Sequence, residues 1–127
     1  MKNVLLIIFL FTVSLSITAQ SASIDKRLLA KYSSEELKTI QKENPDELKY
    51  LTYCITNAFY LSNVTQEKIN DNPTLFKEIK IDKASVSNFY ELKVEIMENI
   101  KQYFIIQGTK TLIIVKSKKQ ILTELNL

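Results

Sequence analysis

The chain has 127 residues, of which 46% are hydrophobic and 24% are charged, and its formal net charge at pH 7 is +3. This length and composition are typical of one globular domain and exclude a largely disordered chain. The sequence has no histidine, one cysteine and one glycine. These counts exclude His-ligated metal sites, Ser-His-Asp and Cys-His catalysis, an internal disulfide and Gly-rich phosphate loops, so we expect no cofactor.

The first 19 residues are predicted to be a secretory signal peptide. Met1-Lys2-Asn3 carries a positive charge, an apolar run extends to Ile17, and small residues mark a cleavage position after Ala19, with Ala22 as the alternative. A retained membrane anchor is the competing interpretation, but the apolar run is shorter than the roughly 20 residues of a spanning helix. We therefore expect export to the periplasm or cell surface, with no transmembrane span after cleavage.

Residues 20–127 are predicted to form a single domain that begins with three helices. A short helix covers Ile24 to Lys31, and a surface helix follows the capping box of Ser33 and Glu36. A third helix begins at Asn44-Pro45 and has the widest apolar face, which carries Leu48, Leu51, Ile55 and Ala58. We expect this helix to be the centre of the domain.

Two features of the central helix bear on chemistry. Cys54 lies among apolar residues and is predicted to be a buried, unpaired thiol, with an intermolecular disulfide as the alternative. Four aromatic residues lie on the helix and just after it, and they are either core residues or a surface that stacks on a sugar or peptide ligand: Tyr50, Tyr53, Phe59 and Tyr60.

The apolar pattern breaks after Tyr60, and Asn63 to Pro73 is expected to be a surface connection, followed by a short strand over Glu78 to Asp82. The segment from Asn88 to Phe104 fits both a helical face and a strand alternation. No Gly or Pro separates it from the β-branched residues that follow, which disfavours a helix running into them. We therefore predict a strand from Glu91 to Met97.

The end of the chain is predicted to be a β-hairpin and a helix. Tyr103 to Gln107 and Thr111 to Lys116 are strand-like runs joined by Gly108-Thr109-Lys110. Ser117 and Gln120 are spaced as a capping box for a last helix. The predicted fold class is α+β: N-terminal helices packed on a small antiparallel β-sheet, which includes the C-terminal hairpin, with a short C-terminal helix.

The chain resembles a group of small exported proteins of Bacteroidetes-type bacteria. The resemblance is carried by Leu28–Leu37, by the Asn44-Pro45 helix start and by Gly108–Ser117. It covers most of the mature chain and implies an exported protein with strands in the C-terminal half. It implies no activity and no functional residue.

Two groups of charged residues are candidate sites. Glu91, Glu95 and Glu98 could supply the acid and base of a hydrolase if burial separated their pKa values, although a solvated polar face is the preferred explanation. The second group is a run of lysines without acids between Asn99 and Thr123, for which a solvated face is again the simpler explanation. The sharper hypothesis is that the hairpin tip at Lys110 or the helix start at Ser117 binds an anionic group, such as a lipid phosphate or an acidic protein surface, with help from helix N–H groups. The candidate binding residues are Lys110, Lys116, Ser117, Lys118 and Lys119.

The functional class that these observations favour is a non-catalytic, exported module of the cell envelope that binds a protein partner or an anionic envelope component. A nucleic-acid partner is not expected because exported proteins rarely meet one. The alternative function is a small hydrolase that acts on envelope material through carboxylates. We prefer the binding module because the chain lacks most groups that catalysis uses.

Overall fold

The computed structural model describes residues 23–81 and 86–127, so the predicted signal peptide lies outside the described residues. The helices are α1 (Ser34–Glu43), α2 (Pro45–Asn57), α3 (Gln66–Asp71) and α4 (Lys118–Leu125), and two 3₁₀ helices cover Lys26–Ala30 and Phe89–Leu92. The strands are β1 (Phe59–Asn63), β2 (Phe76–Ile79), β3 (Gln102–Ile106) and β4 (Thr111–Val115). The domain is therefore a mixed helix and sheet fold.

The four strands form one sheet in the order β1-β4-β3-β2. β4 is antiparallel to both β1 and β3, as the hairpin prediction required, whereas β2 runs parallel to β3. The expectation of a wholly antiparallel sheet is therefore wrong at β2. A parallel pair needs a long crossover, and the connection over 80–101 supplies it.

The core lies mainly between one face of the sheet and the helices. Successive residues of β4 alternate between the two faces, so Ile113 and Val115 face the helices while Leu112 and Ile114 face the other side. The larger cluster joins these strand residues to apolar side chains of α1, α2 and α4, chiefly Leu37, Leu48, Ile55 and Ile121. The smaller cluster holds Val64 and Ile105, with Ile69 of α3 against it. β4 is consequently buried on both faces.

The predicted starts of α1, α2 and α4, at Ser33, Asn44 and Ser117, are confirmed. Ser33 Oγ accepts from the Glu36 N–H at 3.1 Å, and the Ser33 N–H donates to Glu36 Oε2 at 2.7 Å, which is the reciprocal capping box. Asn44 caps α2 through its side-chain oxygen. At α4 only half of the predicted box forms, because Ser117 Oγ accepts from the Gln120 N–H while the Gln120 side chain donates to Glu124.

The strand predicted from Glu91 to Met97 is wrong, and so is the helical alternative. Phe89–Leu92 is a 3₁₀ helix that ends at Lys93, whose φ of 55° and ψ of 37° are left-handed. The chain then continues through segment 93–98, which has no regular secondary structure and belongs to none of the strands in the described residues, while Val94 and Ile96 pack against the core. The alternation in the sequence is real, but it reflects this packing of alternate side chains on the core.

Three further element boundaries differ from the prediction. β1 was not predicted and ends at Asn63, where the predicted surface connection begins, and that connection contains α3. The short strand lies at Phe76–Ile79 and ends before the predicted limit of Asp82, which is outside the described residues. The first helix is a 3₁₀ helix over Lys26–Ala30, with Asp25 as its N-cap.

Candidate ligand-binding groove

A groove of about 820 Å³ lies between the start of α2, segment 93–98 and α4. Its α4 wall is formed by residues four positions apart, which share one face of the helix: Lys118, Leu122 and Asn126. The other lining residues come from the turn before α1, from α2, from the second 3₁₀ helix and from the segment after it: Lys31, Tyr32, Asn44, Asp46, Glu47, Tyr50, Leu51, Phe89, Tyr90, Val94, Glu95, Ile96 and Glu98, together with Leu127. The groove thus draws on segments that are far apart in the chain.

Aromatic rings form much of the groove surface. Tyr32 and Tyr90 meet edge to face with centroids 5.9 Å apart, and Tyr90 meets Phe89 in the same way at 5.6 Å. Such perpendicular pairs are the favoured geometry of aromatic rings and hold each other in position. Tyr90 and Phe89 are buried, while Tyr32 and Tyr50 are half-buried. The partly open rings give the groove flat, apolar faces with hydroxyl groups at their ends.

A polar cluster lies beneath these rings. Tyr90 Oη donates to the Leu51 carbonyl oxygen at 2.7 Å, and both Tyr50 and Tyr90 interact with the Cys54 thiol. Burial raises the pKa of Cys54 to about 11 and raises the pKa values of Tyr50 and Tyr90 well above their usual range. Cys54 is 0% exposed, so the predicted burial of its thiol is confirmed, while its unpaired state in solution stays a prediction.

The groove carries more acidic than basic side chains. Four of its six charged lining residues are acids: Asp46, Glu47, Glu95 and Glu98. The two lysines are each paired with one of these acids, Lys31 with Glu95 at 3.6 Å and Lys118 with Glu98 at 3.2 Å. Burial raises the pKa of Tyr32, and the carboxylates of Glu47 and Glu95 raise it further. The net formal charge of the side chains that line the groove is therefore negative.

The wall formed by segment 93–98 is held by hydrogen bonds that its backbone carbonyl oxygens accept. The Gln102 side-chain amide donates to the Glu95 carbonyl oxygen at 2.6 Å. The first two N–H groups of α4 donate to the carbonyl oxygens of Met97 at 2.9 Å and Glu98 at 3.0 Å. Although this segment has no ladder partner, it is fixed at both its middle and its end.

The predicted lysine site is divided by the structure. Lys110 precedes β4 and Lys116 follows it, so the two lie at opposite ends of the strand, roughly 20 Å apart at about 3.3 Å per residue. Lys116 Nζ is 3.0 Å from Glu124 Oε2, and only 16% of the lysine side chain is exposed. Lys118 lies at the groove beside Glu98, and Lys119 is exposed.

The start of α4 has its first amides already hydrogen-bonded. Lys118 N–H and Lys119 N–H donate to residues 97 and 98, the Gln120 N–H donates to Ser117 Oγ, and the Ile121 N–H donates to the Ser117 carbonyl oxygen. Ser117 itself is buried. These N–H groups are therefore occupied by acceptors within the protein rather than presented to an anion.

The three predicted glutamates do not meet in one site. Glu95 and Glu98 line the groove, whereas Glu91 is not among its lining residues. The side chain of Glu95 is 82% exposed and that of Glu98 is 72% exposed, and each lies beside a lysine. They have the surroundings of solvated ion pairs rather than of a buried acid and base.

Sequence reasoning missed the groove because its most important rings come from segments that it treated separately. Tyr32 lies just before the predicted surface helix and Tyr90 just before the strand predicted from Glu91, so neither ring was expected beside the central helix. The signal that was present is the aromatic content of the central helix, since Tyr50 does lie in the groove.

The chain matches no family model, no curated protein and no solved structure. Within residues 23–81 and 86–127, no three His, Cys, Asp or Glu side chains are grouped as metal ligands. Over the same residues, none of the helices combines the length and the hydropathy that crossing a bilayer would demand.

Proposed function

We propose that this chain is an exported, non-catalytic module of the cell envelope that binds a short segment of a protein partner in the groove. The segment combines apolar or aromatic side chains with at least one lysine or arginine. The observation that carries this proposal is the combination of aromatic faces and a negative rim in one groove of about 820 Å³.

The aromatic surface supports the apolar part of the ligand. Tyr32 and Tyr50 are half-buried, so each has ring area that a ligand could cover, while Val94 and Ile96 add aliphatic surface beside them. Tyrosine offers contact area with few rotatable bonds, which makes it a common anchor in binding sites. The groove volume lies within the range of about 300–1,000 Å³ that is usual for ligand sites.

The charges support the basic part of the ligand. Glu95 and Glu98 are already paired with lysines, whereas Asp46 and Glu47 at the start of α2 form no ion pair with any described residue. A cationic side chain of the ligand, placed beside Asp46 and Glu47, would give these two carboxylates the ion-pair partner that Glu95 and Glu98 already have. An anionic ligand would instead meet net repulsion, which is why we favour a basic segment.

The test is a titration of the exported protein, purified after expression of the full sequence, followed through the backbone amide signals in NMR spectra. The probe is an eight-residue peptide that alternates lysine with leucine and tyrosine, and the comparison peptide has glutamate at every lysine position. We expect the lysine peptide to shift signals of Tyr50, Val94 and Leu122, and the glutamate peptide to bind at least about tenfold more weakly.

A matched pair of variants locates the charge effect. The double variant Asp46→Asn/Glu47→Gln should bind the lysine peptide several-fold more weakly than wild type. The control variant Glu67→Gln/Asp71→Asn changes two acids of α3 outside the groove lining and should bind it with unchanged affinity. Equal binding of both peptides, or shifts confined to residues outside the groove, would contradict the proposal.

A carboxylate-dependent hydrolase is the second candidate, and the presence of both Glu95 and Glu98 at the groove favours it. Such an enzyme should release product from a peptidoglycan or polysaccharide substrate and lose that activity in Glu95→Gln or Glu98→Gln. We prefer the binding module because both side chains are more than 70% exposed, and an exposed carboxylate lacks the burial that poises an acid for catalysis.

Binding to an anionic envelope component is the other form of the proposed module. Of the four candidate lysines, Lys116 and Lys118 are paired with carboxylates. Lys110 and Lys119 are therefore the two that remain to bind an anionic component. Co-sedimentation with anionic and neutral vesicles at rising salt tests it: selective, salt-sensitive binding that is lost in Lys110→Glu or Lys119→Glu would support this form over the peptide groove.

A further inference from the structure

β1 is an edge strand without the usual protection. Among residues 23–81 and 86–127 it pairs with β4 alone, and its sequence, Phe59-Tyr60-Leu61-Ser62-Asn63, has no charge, no proline and no glycine. Tyr60 is 41% exposed and Leu61 is 51% exposed. Natural proteins normally block such an edge with charged residues, proline or a bulge, because its free N–H and C=O groups can pair with another strand. The other edge strand, β2, is shorter and carries Lys77 and Glu78.

The hydrogen bonds to β4 show which backbone groups of β1 point outward. The Lys116 N–H donates to the Ala58 carbonyl oxygen, and the Val64 N–H donates to the Lys110 carbonyl oxygen. Hydrogen-bonded positions alternate along an antiparallel strand, so the even-numbered residues of β1 face β4. The N–H and C=O groups of Phe59, Leu61 and Asn63 therefore face away from the sheet.

We propose that β1 pairs with β1 of a second copy of this chain. The two strands run antiparallel about a two-fold axis through Leu61, which places Leu61 opposite its own equivalent and Phe59 opposite Asn63. The three outward-facing residues of each strand then exchange N–H and C=O hydrogen bonds, and the two four-stranded sheets become one continuous sheet.

Self-pairing is favoured over an unrelated strand because β1 is self-complementary. The register brings no charged side chain against another, and it sets one exposed leucine against the other on the same face of the joined sheet. A two-fold contact of one surface with itself is also the commonest arrangement among soluble homo-oligomers. α2 ends before β1 and α3 begins after it, and Leu61, Ser62 and Asn63 are all exposed, so this edge is open to a second copy.

The test is sedimentation of the exported protein over a concentration series, with Leu61→Lys and Leu61→Glu as variants. We expect wild type to dimerise reversibly, and each variant alone to raise the dissociation constant by at least about tenfold because like charges would face each other. An equimolar mixture of the two variants should recover the dimer, since lysine would then face glutamate. Leu75→Lys makes the same change at a leucine that is 47% exposed and lies outside β1, and it should dimerise as wild type does.

Hydrogen exchange adds a second measurement that is specific to β1. The amides of Leu61 and Asn63 should become protected as concentration rises, and this protection should be lost in Leu61→Lys. A monomer at every concentration would overturn the proposal and leave the edge for a strand of another protein. A dimer that persists in Leu61→Lys with unprotected Leu61 and Asn63 amides would overturn it as well.

Discussion

The tyrosines and the cysteine beneath the groove show how single residues join the core to the candidate site. Tyr90 is 7% exposed, yet its hydroxyl has a backbone acceptor at Leu51. The Cys54 thiol, at 0% exposure, lies beside the hydroxyls of Tyr50 and Tyr90. Every buried side-chain nitrogen and oxygen atom among the described residues has a partner, so the tyrosine hydroxyls of this cluster add no unsatisfied group to the core.

The first prediction concerns the pH dependence of stability through Cys54. Its pKa is raised to about 11 in the folded protein, whereas an unfolded cysteine titrates near 8.5. Since the folded state disfavours the thiolate, the stabilising contribution of Cys54 is complete below pH 8.5 and is lost as pH rises towards 11. Wild type should therefore be more stable than Cys54→Ala at pH 7, and this difference should shrink between pH 8.5 and 11 in chemical denaturation. A difference that stays constant over that range would contradict the assignment.

The second prediction concerns Glu124, which accepts hydrogen bonds from Lys116, Tyr53 and Gln120. Lys116, with the other donors, lowers the pKa of Glu124. A lowered pKa means that the stabilisation is present above the unfolded value and is lost as pH falls through the folded one. Glu124→Gln should thus reduce the free energy of unfolding by roughly 0.5–1 kcal/mol at pH 7, and the effect should vanish in acid. Glu43→Gln on α1 is the control. An equal loss in the free energy of unfolding in this control would refute the stabilising role assigned to Glu124.

At the scale of elements, the parts that were predictable are those with local chemistry. Ser33, Asn44 and Ser117 act as N-caps because a side-chain oxygen reaches an amide two or three residues away, which sequence spacing alone specifies. The hairpin between β3 and β4 was equally local, with Gly108 at a φ of 78° in its turn.

The parts that failed depend on packing between distant segments. β1 follows α2 with no Gly or Pro between them, and the apolar spacing of the helix continues to Ala58, so the sequence did not mark the change. Segment 93–98 has the alternation of a strand, but Lys93 turns the chain at its start, and Val94 and Ile96 pack on the core instead of joining the sheet. The groove could not be predicted because this segment forms one of its walls.

The third prediction tests the backbone at Lys93. A lysine in the left-handed region is strained by its Cβ, while glycine is not. Lys93→Gly should leave the free energy of unfolding unchanged or raise it by up to about 1 kcal/mol, because the relieved strain offsets the greater flexibility of glycine in the unfolded chain. Lys101→Gly, at an exposed position with negative φ, should lower the free energy of unfolding by about 0.5 kcal/mol. A larger loss of stability in Lys93→Gly than in Lys101→Gly would contradict the assignment of strain to Lys93.

At the scale of the whole molecule, one face of the domain combines the groove with the start of α4. The same α4 carries Lys118 and Leu122 on the groove wall and Ile121 in the core, so the wall is fixed by the packing of the helix. β1, at the edge of the sheet, is the surface proposed for self-association. Because β1 contributes no residue to the groove lining, the two proposals can fail independently.

The measurement that most directly tests the central claim is the reversal of charge preference in the groove. In Asp46→Lys/Glu47→Lys the glutamate peptide should bind more tightly than the lysine peptide, which is the opposite of the wild-type order, because the rim would then be positive. Glu67→Lys/Asp71→Lys on α3 is the matched control, and circular dichroism verifies that each variant is folded. Titration calorimetry with both peptides gives the result. An unchanged preference in the groove variant, or an equal reversal in the α3 control, would contradict the claim that this groove binds a basic segment.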